Sequence, residues 1–422
     1  MKKILGFFGS SIGLKQSTIT VVGNLATTAI SAIALIVISR FLGPSKFGEF
    51  SVGFSLVLIL NRINDFGLSY VVQKYAASED QTQVNRIFSY TLRLKMMIWL
   101  GVTAIGILIS GWLTQTLHFS QPLIIYLSFV LSGCTVLYEQ LQAMLQALHR
   151  FSQVVIMNFI QSVAKLVGSL TIFWALSHES LPVFVWYMFA PLLPILATTR
   201  LLPQWVKIDL RGSFAVEKKL ISTMARHAAV AYVIAGIIDN VDVLFVQHYL
   251  NTYETGLLSG VAKIALVFST VAFSLGSVLN ARVAHYQTKH DIDVFLKKSF
   301  GIVAATAIGF LAFLPFARLS IIFTVGEQYL SGQPILNIMV AAAFLTIAVM
   351  PFMALFFSFD VPWYFSSSAI LQLVIVVVGN MWFVPLYGLV AAAWIRLITR
   401  FALLIFTLLV AFYAYRKKYA DT

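Results

Sequence analysis

The sequence predicts an all-α polytopic membrane protein with about twelve transmembrane helices, and three observations support that prediction. Hydrophobic residues make up 59% of the 422 residues and charged residues only 11%, whereas about 25% of a soluble domain is charged. The mean hydropathy is +0.88. Apolar runs of about 20 residues, the length that crosses a hydrocarbon core of about 30 Å, recur from one end of the chain to the other.

The predicted spans follow these apolar runs in chain order. Their approximate limits are 16–41, 47–70, 86–111, 121–147, 153–177, 181–203, 224–249, 254–281, 294–317, 331–357, 363–384 and 387–414. The loops between them are short, and none is long enough to fold alone. Any chemistry that the protein performs must therefore take place in or at the membrane.

The basic residues predict the orientation of the spans. With the amino terminus in the cytoplasm, most loop lysines and arginines fall on the cytoplasmic side, and the outer side receives little more than Arg40, Lys46 and Arg318. The positive-inside rule therefore predicts that both termini are cytoplasmic. The net charge of +13 is explained by topology and by contacts with anionic membrane lipids, so no nucleic-acid partner is required.

The sequence argues against an enzyme. The single cysteine, Cys134, excludes an intramolecular disulfide and a thiolate metal site. All seven histidines lie at span ends or in loops, and the sequence contains neither HExxH nor a Walker A motif. We therefore predict no catalytic residue, no metal and no cofactor. A membrane enzyme or a non-transporting assembly scaffold is the competing interpretation from another class.

An internal repeat predicts two pseudo-symmetric six-helix bundles. The stretch RFLGPSKFGEFSVG (40–53) aligns with HYLNTYETGLLSGV (248–261) at an offset of 208, which places Gly48 over Gly256. Each stretch joins the first two spans of its half, so the two halves have parallel orientation. The predicted division is an amino-terminal bundle at 1–203, a basic cytoplasmic linker at 204–220 and a carboxy-terminal bundle at 221–422.

Polar residues deep in the spans are the candidate binding residues. They are Asn24, Arg62, Asn158, Gln161, Lys165, Lys263, Arg396 and Arg400. A cation at the bilayer centre costs about 3 kcal/mol or more, so it faces either a partner or a water-filled cavity. The deep cations outnumber the deep acids, which favours a cavity for an anionic substrate. Structural pairing of these cations with Asp239, Asp242 or Glu139 is the alternative.

The acids are the candidates for ion coupling. Asp239 and Asp242 share one face of the seventh span, so one of them could carry a proton, as could Glu139. Alternatively, the two aspartates jointly neutralise Lys263 on the following span.

Three further charged residues have simpler interpretations. Asp65 follows Arg62 by three residues, which predicts an ion pair within the second span. Arg93 and Lys95 lie within a few turns of the inner end of the third span, so we expect both to extend to the cytoplasmic interface.

Several motifs resemble a known family. The corner RFLGP at Arg40–Pro44 is followed by Phe47 and Gly48, and DFGL at 65–68 precedes Lys74. In the second half, NVDVLFVQHYL (240–250) precedes ETGLLSGVAKIA (254–265), and LQALHRF (145–151) ends the fourth span. This pattern resembles the polysaccharide flippases, O-antigen type or Wzx-like, of the multidrug/oligosaccharidyl-lipid/polysaccharide (MOP) exporter superfamily. NARVAHY (280–286) departs from it, because the family's usual proline is absent there.

The resemblance implies a function. It implies two bundles around a central cavity in the inner membrane, which flip undecaprenyl-diphosphate-linked oligosaccharide from the cytoplasmic to the outer leaflet by alternating access. The implied partners are that lipid-linked oligosaccharide and the polysaccharide polymerase and export machinery, and we expect a monomer. A cation-coupled drug or metabolite antiporter of the same fold is the alternative.

Overall fold

The computed structural model describes residues 12–76, 80–175, 178–198, 202–212, 214–283, 289–359, 361 and 363–419. In these residues the regular elements are helices. The α-helices are α1 (Ile12–Asp65), α2 (Leu68–Tyr75), α3 (Gln81–Thr116), α4 (Pro122–Ala147), α5 (Phe151–Ala175), α6 (Ser180–Phe189), α7 (Leu192–Thr198), α8 (Ala215–Tyr249), α9 (Thr252–Val283), α10 (Lys289–Phe313), α11 (Ala317–Phe323), α12 (Gln333–Phe359), α13 (Trp363–Tyr387) and α14 (Leu389–Tyr419). Short 3-10 helices at Leu314–Phe316 and Glu327–Gly332 flank α11.

The helices confirm the predicted fold class. Within the described part of the chain, nine helices are long and apolar enough to cross a membrane, with mean hydropathies of 1.5 to 2.4. The protein is thus an all-α polytopic membrane protein. The segment Gly23–Asp65 counts once among the nine, although the sequence predicts two spans there.

Backbone turns explain why the limits of the helix differ from the approximate limits predicted for the second span. The first two predicted spans lie on α1, which is interrupted at Gly43 (φ 72°, ψ 171°) just before Pro44. Only glycine adopts this conformation without strain, and proline is well placed to begin the helical segment that follows. At the other end, α1 stops at Asp65, because Phe66 (φ 46°) and Gly67 (φ 74°) turn the chain. The predicted span continued to residue 70.

The chain forms two compact units. Unit 1 comprises Met1–Phe41 and Gly53–Gly236, and unit 2 comprises Leu42–Val52 and Ile237–Thr422. Part of α1 therefore belongs to unit 2, and α8 contributes to both units. The division into bundles at 1–203 and 221–422 stays a prediction.

Two glycines of unit 2 make a reciprocal contact. A methyl group on Gly48 would collide with the carbonyl oxygen of Thr252, and one on Gly256 would collide with the carbonyl oxygen of Pro44. Pro44 and Thr252 are 208 residues apart, as are Gly48 and Gly256. The contact thus joins the same positions that the repeat aligns, and it requires glycine on both sides.

Residues 202–212, which we call the strap, are docked along α3 in unit 1. The Asn85 side chain donates to Trp205 O (2.9 Å) and accepts from Lys207 N (3.1 Å). One turn further along α3, Ser89 Oγ accepts from Asp209 N at 2.9 Å. Trp205 also packs against a buried cluster that includes Phe88. Much of the predicted linker is thus held by side chains of α3.

An ion pair fastens the chain just after the strap. Arg86 Nε lies 2.5 Å from Glu217 Oε1, and Arg86 Nη2 lies 3.2 Å from Glu217 Oε2. The guanidinium of Arg86 lowers the pKa of the Glu217 carboxyl, mainly through its hydrogen bond. The start of α8 is thereby connected to α3.

Candidate functional site

The amides near the end of α1 bind polar side chains of α4. Asn61 Nδ2 donates to Glu139 Oε1 (2.6 Å), and Asn61 Oδ1 accepts from Thr135 Oγ1 (3.1 Å). Asn64 Nδ2 donates to Ser132 Oγ at 3.1 Å. These bonds explain why an apolar helix carries two amides: each satisfies buried polar groups of the neighbouring helix.

Asp65 pairs with Lys95 rather than with Arg62. Lys95 Nζ lies 2.5 Å from Asp65 Oδ1, and both side chains are buried. Ser69 completes the group, because its hydroxyl lies 2.5 Å from Asp65 Oδ1 and 2.9 Å from Lys95 Nζ. Two predictions are therefore wrong: the intrahelical Arg62–Asp65 pair, and the extension of Lys95 to the interface. Lys95 is 0% exposed, so it cannot reach bulk water.

Arg62 lies against α8 instead. Its guanidinium carbon is 4.3 Å from the centroid of the Tyr232 ring, a cation–π arrangement. Its aliphatic stem fits against Gly236, where any larger residue would collide with it. Arg62 thus faces a cavity of about 470 Å³ within unit 1. The cavity is lined by Arg62, Ser69, Tyr70, Gln73, Glu139, Gln142, Ala143, Gln146 and Tyr232.

Polar residues of α1 and α5 contact each other. Asn158 Nδ2 lies 3.3 Å from Asn24 Oδ1, and the hydroxyls of Ser31 and Ser162 lie 2.8 Å apart. Gln161 is half-buried on the same helix. Asn158 Oδ1 also accepts from Tyr138 Oη (2.5 Å) and Gln142 Nε2 (3.1 Å). This network connects α5 to the cavity lining.

Lys165 lies two turns beyond Asn158 on α5 and has an aromatic neighbour. Its ammonium is 4.3 Å from the centroid of the Tyr187 ring of α6. Among the described residues, no carboxylate lies within ion-pair distance of Lys165. Within the part of the chain that the structure describes, Lys165 is thus held by an aromatic ring and not by a counter-ion.

The cations of unit 2 lie beside acids. Arg396 contacts Asp242 Oδ2 through Nε (3.1 Å) and Nη2 (2.5 Å), and Nη2 also donates to Asp239 O (3.1 Å). Arg400 donates to Gln372 Oε1 (2.7 Å) and lies 3.5 Å from Asp239 Oδ1.

Lys263 on α9 lies in the electric fields of Asp242 and Arg396. Unit 2 therefore brings together the predicted residues Asp239, Asp242, Lys263, Arg396 and Arg400, in the paired arrangement that was the alternative to an open cationic site.

Sequence reasoning missed several residues that line or support these sites. Tyr187 lies in a segment rich in aromatic residues, and Tyr232 lies in an apolar segment, so no periodic pattern distinguishes either of them. Gln142 and Gln146 could have been found, because they are four residues apart on α4 and follow Glu139 on nearly the same face.

Comparisons with known proteins agree with this architecture. An inward-facing multidrug resistance MATE family transporter of the MOP superfamily superposes with a TM-score of 0.76 and 14% identity, covering 94% of this chain and 96% of that one. The lipid II flippase MurJ, in an inward closed conformation, gives a TM-score of 0.74 and 11% identity, covering 93% of this chain and 89% of that one. At these identities the likeness shows the fold alone. No curated protein sequence matches this chain.

The family profile described as "Polysaccharide biosynthesis protein" matches residues 14–280. The fold is that of the MATE transporter and of MurJ. Because the family match extends over more than half of the sequence, the chain belongs to the polysaccharide biosynthesis protein family.

Proposed function

We propose that this protein flips undecaprenyl-diphosphate-linked oligosaccharide from the cytoplasmic to the outer leaflet of the inner membrane, by alternating access. The substrate has three chemically different parts. The diphosphate cannot cross hydrocarbon unaided, the sugars need hydrogen-bonding partners, and the polyprenyl tail can stay in the bilayer throughout.

The surroundings of Lys165 carry this proposal. A cation inside a membrane span costs several kcal/mol unless an anion or water compensates it. Lys165 has Tyr187 beside it and no carboxylate within ion-pair distance among the described residues. The diphosphate of the substrate would supply the missing negative charge through charge-assisted hydrogen bonds.

The cations of unit 2 differ in this respect. Arg396 lies against Asp242, and Arg400 lies near Asp239. Their positive charge is partly compensated before any substrate binds, so we assign them the weaker part in binding diphosphate. The same pairing argues against the antiporter alternative. A coupling ion would have to compete with a fixed arginine for the carboxylate of Asp242 or Asp239.

Transport of a fluorescent lipid-linked oligosaccharide by proteoliposomes tests the proposal. We expect Lys165→Gln to reduce transport at least about tenfold, because loss of one charge-assisted contact costs about 1.5–3 kcal/mol. Lys165→Arg should retain part of the activity. Lys207→Gln is the matched control, since it removes one positive charge from the exposed face of the strap. Unchanged transport by Lys165→Gln would overturn the role of Lys165.

A further inference from the structure

The cavity of unit 1 differs from the surroundings of Lys165 in its chemistry. Its volume of about 470 Å³ lies within the range of about 300–1,000 Å³ that small-molecule sites occupy. Its lining consists mainly of amide, hydroxyl and tyrosine side chains. Such a surface offers many neutral hydrogen-bonding groups.

The charges at the cavity are balanced. Arg62 and Glu139 both line it, and the buried pair of Asp65 and Lys95 lies behind it. The fields of Arg62 and Lys95 act on Glu139 in the opposite sense to that of Asp65. Two cations therefore face two acids, and the cavity has no excess positive charge with which to attract a diphosphate.

The lining also holds polar atoms that the protein does not saturate. Glu139 Oε1 accepts from Asn61, whereas Glu139 Oε2 is buried and has no hydrogen-bond partner among the described residues. Gln73 Nε2 donates to Gln146 Oε1 at 2.6 Å, which leaves the carbonyl of Gln73 and the NH₂ of Gln146 with further capacity. A buried carboxylate oxygen without a donor is costly unless a ligand supplies one.

Two tyrosines supply the apolar part of the cavity. The rings of Tyr70 and Tyr232 meet edge to face, with centroids 5.7 Å apart. Tyr232 is also fixed by Arg62, which lies over its ring. The cavity thus combines rigid aromatic surface with hydrogen-bonding groups, as sites for small polar ligands do.

We infer that this cavity binds a neutral sugar ring of the transported oligosaccharide, an assignment that rests on the proposed function. The carboxylate of Glu139 accepts from a hydroxyl of the sugar, and Gln73, Gln142 and Gln146 exchange hydrogen bonds with the remaining hydroxyls. Tyr232 packs against the apolar ring face. An acidic sugar gains no comparable advantage, because the charge of Glu139 offsets the attraction of Arg62 for its carboxylate.

The position of the cavity is compatible with simultaneous binding of diphosphate at Lys165. Gln142 lines the cavity and donates to Asn158. Asn158 precedes Lys165 by seven residues on α5, which corresponds to a rise of about 10 Å along the helix. Sugar and diphosphate groups of one substrate can therefore lie at different sites of the same unit.

Competition between defined lipids tests the inference. The full-length protein in detergent is mixed with equal concentrations of undecaprenyl diphosphate, of the same lipid carrying one neutral hexose, and of the same lipid carrying one hexuronic acid. Native mass spectrometry then gives their relative affinities. We expect the hexosyl lipid to bind at least about tenfold more tightly than the bare lipid, from one or two net hydrogen bonds to charged groups. The uronosyl lipid should lack this advantage.

Variants separate the two sites. Glu139→Gln keeps an acceptor for Asn61 but removes the charge, and it should lower the preference for the hexosyl over the bare lipid, as should Gln142→Leu. Gln115→Ala, an exposed glutamine near the far end of α3, is the matched control and should keep the preference. Lys165→Gln should weaken all three lipids while their ratio stays the same.

Three results would count against these assignments. Equal binding of the hexosyl and bare lipids, or a preference for the uronosyl lipid, would overturn the sugar site and leave the proposed function standing. A wild-type protein that binds none of the three lipids would overturn both.

Discussion

Lys95 Nζ lies 2.5 Å from Asp65 Oδ1, and the two side chains are only 0% and 2% exposed. Removing one member of such a pair leaves an uncompensated buried charge, which typically costs about 3–5 kcal/mol. We therefore expect Lys95→Met and Asp65→Leu each to lower strongly the thermal stability of the detergent-solubilised protein. The Asp65→Leu, Lys95→Met double variant should recover much of the loss. A double variant whose loss of stability equals the sum of the two single losses would show that the pair does not act as a unit.

The glycine contact of unit 2 gives a second prediction. Gly48→Ala and Gly256→Ala each place a methyl group against a backbone carbonyl oxygen, which cannot move aside as a flexible side chain can. We expect each to destabilise the protein by about 1–3 kcal/mol. Gly101→Ala is the control, because nothing lies within 4 Å of its added methyl group. Melting temperatures that are the same for all three variants would contradict the close approach.

The Arg396–Asp242 pair gives a third prediction. Asp242→Asn removes the carboxylate that Arg396 contacts through two nitrogens, so we expect lower expression and a lower melting temperature. An Asp242→Asn, Arg396→Gln double variant should recover stability. If Asp242→Asn is instead fully stable and its transport no longer responds to a pH gradient, Asp242 carries a proton. The assignment of Asp242 as a structural partner of Arg396 is then wrong.

Glu217 makes the stability depend on pH. Arg86 lowers the pKa of its carboxyl in the folded protein, so the pair stabilises the fold above the unfolded pKa of about 4.3. That contribution is lost as the pH falls through the lower folded pKa. The melting temperature should therefore decrease more steeply below about pH 4 in the wild type than in Glu217→Gln. Arg86→Gln should flatten the profile in the same way.

The strap predicts a pattern of thiol labelling. In a Cys134→Ser background, Ile208→Cys should react quickly with an impermeant maleimide, because Ile208 is 43% exposed. Trp205→Cys should react slowly, since Trp205 packs against a buried cluster. Both should react from the cytoplasmic side alone, in inverted vesicles and not in intact cells. Labelling of Ile208→Cys in intact cells would overturn the predicted orientation.

Hydropathy and helical spacing were sufficient to predict the helices, but they did not predict the partners of the charged residues on those helices. The apolar runs located the spans, and Asn24 and Asn158, two of the candidate binding residues, contact each other in the structure. The spacing of Arg62 and Asp65 indicated only that they share a helix. Lys95 became the partner of Asp65 through tertiary packing, which sequence spacing does not encode. In the structure Phe88, Thr91 and Lys95 lie on one face of α3, and all three are buried.

The reciprocal glycine contact bears on the ancestry of the chain. In a two-fold symmetric homodimer, residue i of one copy contacts residue j of the other, and j contacts i. Gly48 with Thr252 and Gly256 with Pro44 reproduce that rule at an offset of 208. In a homodimer of a half-length ancestor that paired through this glycine contact, a single mutation of the glycine would have altered both contacts at once. In the single chain Gly48 and Gly256 are separate positions, so a mutation of one glycine leaves the other contact in place.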